Sequence, residues 1–307
     1  MVASWDISIR HAFRVSDAVP PRIARVGPTP LRVHSIFRSA INLAASDGLL
    51  TVASPGLGGL PNGIAADLGP DWRMIGVRPG MTVHASRAAI RIPDARLEIH
   101  LTAAAGWSPR IGALQVGAAQ AARRWQHRGS TTWTIARARS SAGGFGALLL
   151  EDAVTGGQAP FVDRARPMLA ALLAALDGGD QGSAAAAAEG LIGLGPGLTP
   201  SGDDALVGIE AALHALGRPT AGFLAGAAHD LDERTTAVSA TLLRHAAAGE
   251  FAERIHALLA ALLGSDEAAI PAAIDRAVAW GATSGTDCLV GVLLALDVAA
   301  GTERTAR

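Results

Sequence analysis

The spacing of apolar residues changes near residue 110, and this change restricts the folds open to the chain. Before that point, short apolar runs alternate with Gly, Pro and Asp, and residues 96–101 alternate polar and apolar side chains. This pattern is typical of short β-strands joined by tight turns. Ser46-Asp47-Gly48, between two apolar runs, predicts a hairpin. We therefore expect a small barrel or sandwich in the first part of the chain.

After that point the apolar spacing becomes helical, as in Leu169, Leu172, Leu173 and Leu176. Residues 131–150 fit neither pattern clearly. The predicted helices cover residues 111–127, 161–176, 183–192, 202–216, 219–247, 251–263, 267–280 and 285–300. The expected class is α+β, with a β-rich, barrel- or sandwich-like domain over residues 1–110 and an all-helical domain over residues 111–307.

Composition excludes several classes of function. The 26 basic residues are all Arg and are balanced by 27 acidic residues, so no nucleic-acid surface is expected. Without Lys the chain cannot form a Walker-type phosphate loop or a Schiff base. Its single cysteine, Cys288, excludes internal disulfides and cysteine-rich metal sites. No signal segment or membrane span is predicted, so we expect a cytoplasmic protein.

One glycine-rich segment stands between two predicted helices. Residues 193–204 read Gly-Leu-Gly-Pro-Gly-Leu-Thr-Pro-Ser-Gly-Asp-Asp. Glycine permits backbone angles that other residues avoid and lets a ligand approach the main chain closely. The segment also supplies two hydroxyls and leads into a helix N-terminus, where free N–H groups and the helix dipole favour an anion. It therefore predicts a binding site for a small anion.

Part of this segment recurs 83 residues later. Residues 201–208 and 284–291 share Ser, Gly, Asp, Leu, Val and Gly at matching positions, and an apolar helix follows each copy. Two helices should therefore begin in the same way, and Gly208 and Gly291 could let them touch. The candidate anion-binding residues are Gly195, Gly197, Thr199, Ser201, Gly202, Asp204, Thr236, Ser239, Thr283, Ser284, Gly285 and Asp287.

Capping is a simpler interpretation of the same serines and aspartates. Ser-x-x-Asp resembles a capping box, in which Ser201 and Ser284 would be N-caps and Asp204 and Asp287 would close back on them. Capping leaves the glycines and Asp203 unexplained, and the two interpretations are compatible. Asp203 is the candidate catalytic residue.

The remaining motifs are weaker. Thr236 and Ser239 share a helix face, which suits either a polar ligand or helix packing. Asp203 and Asp204 are candidate Mg²⁺ ligands, although adjacent helical residues point about 100° apart. No hydrolase motif surrounds Ser201. The loop at residues 55–63 is either a turn between strands or a lid that faces the glycine-rich segment, and it does not fit the dinucleotide pattern.

The segment at 193–208, together with Thr236, Ser239 and residues 281–287, resembles the AllH-like family, formerly a domain of unknown function. That family includes a subunit of oxamate carbamoyltransferase, which works beside an FdrA-like subunit and a third subunit. The resemblance implies a hetero-oligomer that transfers a carbamoyl group between phosphate and a nitrogen of oxamate or a related amide. Family members often have His where this chain has Ala282.

Three functional classes follow. The first is a carbamoyltransferase subunit that binds carbamoyl phosphate, phosphate or a small carboxylate at the glycine-rich helix N-terminus. The second is a non-catalytic binding or assembly subunit, which the lack of an obvious base or nucleophile favours. The third is a stand-alone, carboxylase-like enzyme that acts on another small acid. In the first class Asp203 faces the ligand or a metal, while Asp204 and Asp287 orient the loop. No cofactor is firmly implied beyond the candidate Mg²⁺.

Overall fold

The computed structural model describes residues 7–26, 30–112, 117–149 and 160–301. The chain divides into two compact units, Met1–Pro109 and Arg110–Arg307. The first unit contains all nine strands of the described residues, and the second is built from helices. The predicted α+β class, with a β-rich first part and a helical second part, is confirmed.

The first unit is a closed barrel rather than a sandwich. The sheet has the order β5-β4-β3-β2-β6-β7-β8-β1, and antiparallel pairing of β1 with β5 closes the ring, while β9 adds a parallel partner to β1. The strands are β1 Ser8–Ser16, β2 Leu31–Ile36, β3 Ala40–Ala45, β4 Gly48–Ala53, β5 Gly63–Ala66, β6 Thr82–Ala85, β7 Ala89–Ile92, β8 Leu97–His100 and β9 Ala105–Trp107. One helix, α1, spans Val19–Val26.

Period-two alternation explains the barrel wall. In β8, Leu97 and Ile99 are buried in the core, while Glu98 and His100, which alternate with them, are partly exposed. The predicted hairpin is confirmed, since Ala45 pairs with Gly48 across the turn between β3 and β4. The loop at residues 55–63 connects β4 to its parallel neighbour β5 and begins with a short 3₁₀ turn.

The second unit contains the remaining helices. Short 3₁₀ turns lie at Gly144–Leu149 and Glu267–Ala269. The helices are α2 Ala118–Arg139, α3 Pro160–Asp177, α4 Gln181–Glu189, α5 Ser201–Ala215, α6 Phe223–Ala227, α7 Leu231–Arg234, α8 Ala237–Ala247, α9 Glu253–Leu263, α10 Ile270–Val278 and α11 Ser284–Ala299. Within the described ranges, no helix has the length and apolar character needed to cross a membrane.

Two helix predictions were wrong in extent. The helix expected at 111–127 begins at Ala118 and continues to Arg139, and residues 113–116 lie outside the described residues. The single helix expected at 219–247 is three short helices. Gly222 (φ +90°) and Asp230 (φ +49°) adopt left-handed conformations, and Thr236 is extended, so each of the three helices begins after a residue that is not helical.

Helices α5 and α11 form the centre of this unit. Residues 201–213 of α5 are all buried, and most of α11 is buried too. Apart from Asp203, Asp204 and Glu210, the buried residues of α5 are small or apolar, as expected for a helix inside a protein. The indole N–H groups of Trp125 and Trp133 on α2 donate to the buried carboxylate of Asp297 at 2.7 and 3.0 Å, which fixes α2 against α11.

Candidate functional site

The two copies of the repeated string cross each other in backbone contact. A Cβ on Gly208 would lie 2.1 Å from the carbonyl oxygen of Cys288, and a Cβ on Gly291 would lie 2.1 Å from that of Ala205. Ala205 and Cys288 are themselves matching residues of the repeat. The contact between α5 and α11 is therefore reciprocal, and the prediction that these glycines let the helices touch is confirmed.

The starts of the two helices are also built alike. The N–H of Gly202 donates to the Leu194 carbonyl at 2.8 Å, and the N–H of Gly285 donates to the Trp280 carbonyl at 2.9 Å. A Cβ on Gly202 or on Gly285 would lie 2.0 or 1.9 Å from a backbone oxygen of the preceding segment. Only glycine lets each helix start sit this close to the chain that leads into it.

The capping prediction for the two serines was wrong by one residue. The N-caps are Pro200 and Thr283, and neither side chain makes a capping hydrogen bond. Ser201 and Ser284 are instead the first residues of α5 and α11. Proline at 200 fixes an extended backbone (φ −53°, ψ 144°) before the helix, so the turn begins one residue later. The two hydroxyls are therefore available to the neighbouring helix.

Each aspartate of the repeat lies beside the serine of the other copy. The hydroxyls of Thr199 and Ser284 lower the pKa of Asp204, and those of Ser201 and Thr283 lower the pKa of Asp287. The hydroxyls of Thr199 and Ser284 are hydrogen-bonded to each other at 2.6 Å. We call Thr199, Ser201, Asp204, Ser284 and Asp287 the crossed cluster. It joins the two helix starts into one polar site inside the helical unit.

The sequence analysis missed a third contributor to this site. The backbone N–H of Phe145 donates to Oδ1 of Asp287 at 2.5 Å. Gly144 precedes it with φ +59°, and a Cβ there would lie 2.3 Å from the same oxygen. These residues belong to the stretch 131–150, which had no clear assignment. The Gly143-Gly144 pair was the one signal that could have pointed to a close backbone approach.

Asp203 fastens the glycine-rich segment to the start of α8. Its Oδ1 accepts the Gly193 N–H at 2.7 Å, and its Oδ2 accepts the Ser239 hydroxyl at 2.6 Å and the Thr235 hydroxyl. The side chain is buried. Both oxygens of Asp203 are thus used by donors within the chain.

Thr236 contacts the same segment from α8. It is the N-cap of that helix, accepts the Ser239 N–H at 3.1 Å and donates its hydroxyl to the Leu198 carbonyl. Thr236 and Ser239 therefore both hold the polar site together.

Glycines give the segment at 193–199 its shape. Gly193, Gly195 and Gly197 have φ values of +76°, +118° and +102°. A Cβ on Gly195 would lie 2.8 Å from the backbone nitrogen of Ser201, whereas a Cβ on Gly197 would meet only open space. Gly197 is exposed, as are both its neighbours. The tip of the segment therefore faces solvent while its base packs on α5.

Burial dominates the electrostatics of the three carboxyls. Desolvation raises the pKa of Asp204 well above its ordinary value, against the lowering effect of two hydroxyls, and the nearby charge of Asp287 raises it further. Desolvation also raises the pKa of Asp287 to about 6, despite the Phe145 N–H. Desolvation also raises the pKa of Asp203, because its effect is larger than the lowering effect of the three hydrogen-bond donors.

Two atoms of this site lack partners. Oδ2 of Asp204 and Oδ2 of Asp287 are buried and accept no hydrogen bond from the described part of the chain. No group of three His, Cys, Asp or Glu side chains suited to a metal occurs among the residues that the structure describes. The site can therefore offer hydrogen-bond acceptors, hydroxyls and first-turn N–H groups to a small polar ligand.

Comparison with known families covers both units. The model of the AllH family N-terminal domain matches residues 12–106, and the model of oxamate carbamoyltransferase subunit AllH matches residues 191–296. The second match includes α5, most of α11 and every candidate site residue that the sequence predicted. No solved structure matches the chain. The two family matches together span most of the sequence, and the chain belongs to the AllH family.

Proposed function

We propose that this chain is a cytoplasmic subunit of a carbamoyltransferase and that it binds a small anion at its paired helix starts. Carbamoyl phosphate, phosphate and small carboxylates are the candidate ligands. The observation that carries the proposal is the crossed cluster, which places the N-termini of α5 and α11 side by side. The family description, oxamate carbamoyltransferase subunit, supports the reaction class.

Two adjacent helix starts suit an anionic ligand for a simple electrostatic reason. The first-turn N–H groups of a helix have no acceptor within that helix, and its dipole places partial positive charge at the same end. The N–H groups of Gly202 and Gly285 already donate to preceding carbonyls. The N–H groups of Asp203 and Thr286 lie in the same first turns and are the candidate donors to the anion. Oriented N–H groups also stabilise the oxyanion that develops when a carbonyl carbon is attacked.

The reaction we assign is acyl transfer between phosphate and nitrogen. The acceptor nitrogen attacks the carbonyl carbon of carbamoyl phosphate, a C–N bond forms, the C–O bond to phosphate breaks, and the nitrogen loses one proton. In the reverse direction phosphate attacks the carbamoylated amide. In this scheme Asp203 is a positioning residue, because its oxygens hold the glycine-rich segment and α8 in place.

Thermal unfolding of the full chain tests ligand binding at this site. A ligand at a hundred times its dissociation constant adds about 2.7 kcal/mol, which moves the midpoint by several degrees in a unit of this size. We expect phosphate and carbamoyl phosphate to raise the midpoint of the wild-type chain but not of the Ser201→Ala, Ser284→Ala double variant. Ser183→Ala, which removes an exposed hydroxyl on α4, is the matched control. Equal shifts in all three proteins would overturn the proposal.

A second candidate is a non-catalytic assembly subunit. The hydroxyls of Thr199 and Ser284 are used by each other and by the neighbouring Asp204, so they are not free to act as reacting groups. In this function the partner chains supply the reacting groups. FdrA-like and third subunits are the proposed partners. Mixing experiments separate the two functions. Loss of carbamoyl transfer in an assembled complex that carries Asp203→Asn supports the transferase subunit, and full activity supports the assembly role.

A further inference from the structure

The two unpartnered carboxyl oxygens are the least satisfied part of the helical unit's centre. Asp204 is 3% exposed and Asp287 is 0% exposed, and Oδ2 of each finds no donor in the described ranges. A buried acceptor without a donor destabilises the folded chain, because it has lost its hydrogen bonds to water and gained none in return. The two aspartates occupy matching positions of the repeat, so each copy of the repeat contributes one acceptor that lacks a donor. A ligand that supplies two donors at this place would relieve both costs.

The cluster has an identifiable outer side. Thr199 and Ser284 are partly exposed, whereas Asp204 and Asp287 are buried. The 2.6 Å hydrogen bond between the two hydroxyls therefore joins the two partly exposed residues of the cluster. A small ligand that parts these hydroxyls reaches the carboxyls and the first turns of both helices together.

The chemistry of the site selects among small ligands. A carboxylate or phosphate oxygen has no hydrogen to donate, so it satisfies neither unpartnered carboxyl oxygen, and beside Asp287 it would add a second negative charge. A metal cation would suit the carboxyls but would face two helix N-termini, which disfavour positive charge. A primary amide fits both features. Its NH₂ group donates two hydrogen bonds, and its carbonyl oxygen accepts from first-turn N–H groups.

We propose that Asp204 and Asp287 together recognise the NH₂ group of a carbamoyl or primary amide ligand and so distinguish an amide from the acid of the same shape. The proposal rests on the proposed anion site and names the residues that set its specificity. The anionic end of such a ligand, a phosphate or a carboxylate, then lies toward the exposed glycine-rich segment.

Matched ligand pairs test the proposal. Oxamate and oxalate differ by NH₂ in place of O⁻, and carbamoyl phosphate and acetyl phosphate differ by NH₂ in place of CH₃. We expect titration calorimetry of the full chain to show at least about tenfold tighter binding of the amide member of each pair, or about 1.4 kcal/mol. Similar affinity for both members in both pairs would overturn the proposal.

Variants assign the discrimination to residues. Asp287→Asn keeps Oδ1 as the acceptor for the Phe145 N–H but replaces Oδ2 with an NH₂ donor. We expect the preference to disappear or to invert toward oxalate, and we expect the same of Asp204→Asn. Asp232→Asn makes the same chemical change at an exposed site that bonds Arg244, and it should keep the wild-type preference. If both cluster variants also kept it, the assignment would be wrong.

Failure of this inference can be told from failure of the proposed function. Phosphate binding that depends on Ser201 and Ser284, combined with no amide preference, would refute the role of the aspartates and leave the anion site standing. If neither phosphate nor an amide bound, both the anion site and the recognition of the amide would be refuted. Stabilisation by Mg²⁺ alone that Asp287→Asn abolishes would assign the pair to a cation and overturn the proposal. If the variants do not fold, the wild-type ligand pairs still decide the outcome.

Discussion

Replacing Gly208 with alanine tests whether α5 and α11 touch through their backbones. The added Cβ would lie 2.1 Å from the Cys288 carbonyl oxygen, and such atoms normally stay at least 3.0 Å apart. The helices must therefore separate by about 1 Å in a region packed at crystal density. Because most of both helices is buried, that separation disturbs the centre of the unit and both helix starts.

The expected cost follows from two opposing effects. Overpacking of a core costs about 1–3 kcal/mol. Alanine favours a helix interior over glycine by about 1 kcal/mol. Because the clash is with backbone, which cannot swing aside, we expect a cost near the top of that range and a net loss of about 2 kcal/mol, which lowers the unfolding midpoint by about 4–8 °C for a unit of this size. Gly291→Ala should cost about the same, because its Cβ meets the Ala205 carbonyl at the same distance.

Urea and thermal denaturation measure these losses, with Gly117→Ala as the matched control. Gly117 has a negative φ, and a Cβ there would meet nothing within 4 Å. The double variant of Gly208 and Gly291 should lose less than the sum of the two single losses, since one separation of the helices accommodates both methyl groups. If Gly208→Ala unfolded at or above the wild-type midpoint, the reciprocal backbone contact would be refuted.

Three further perturbations probe the buried carboxyls. Asp297→Ala removes the acceptor of two indole N–H groups and should cost about 2–4 kcal/mol in urea denaturation, with a shift in tryptophan fluorescence. The pKa of Asp287 is about 6 in the folded chain against 3.8 without the fold, so the stability it contributes is present at low pH and is lost as pH rises from about 4 to about 6. Asp287→Asn removes that dependence, and its stability relative to wild type should rise by about 2–3 kcal/mol across this range in pH-dependent urea titrations. Asp203→Ala should speed amide hydrogen exchange at Gly193 and in the segment that follows it, because that segment loses its anchor to α8.

Each of these has a result that would count against it. An Asp297 variant with unchanged stability would show that the indole contacts contribute nothing. A constant difference between Asp287→Asn and wild type from pH 4 to pH 7 would show that this carboxyl is not destabilised by burial. Unchanged exchange in the Asp203 variant, with faster exchange elsewhere, would show that the segment is held by other contacts.

Local pattern was enough to predict much of the fold. The turn at Asp47-Gly48 and the alternation in β8 are short-range signals, and both appear as predicted. The barrel closes through pairing of β1 with β5, and this pairing joins residues about fifty positions apart in the sequence. No local pattern encodes that pairing, so the sequence left a barrel and a sandwich equally open. The break between α6 and α8 depends on left-handed residues such as Asp230, which helical periodicity does not reveal.

The pairing of the two helix starts was predictable from the repeat, but the contacts of their side chains were not. The repeated string identified both helix starts, and Gly208 and Gly291 were assigned the close contact they make. The expected local closure of each aspartate on its own serine was replaced by an arrangement in which each aspartate lies beside the serine of the other copy. Which serine lies beside each aspartate depends on how the two helices pack together. The spacing of residues within one helix does not specify that packing. The Phe145 N–H was missed for the same reason, since its partner lies far along the chain.

A crystal structure of the chain with carbamoyl phosphate would test the central claim most directly. We predict ligand density at the paired helix starts, with N–H groups of the first turns of α5 and α11 and the hydroxyls of Ser201 and Ser284 within hydrogen-bond distance. The phosphate should lie toward Gly197. Ligand density elsewhere in the chain, with the Thr199–Ser284 hydrogen bond intact and both helix starts unchanged, would contradict the claim.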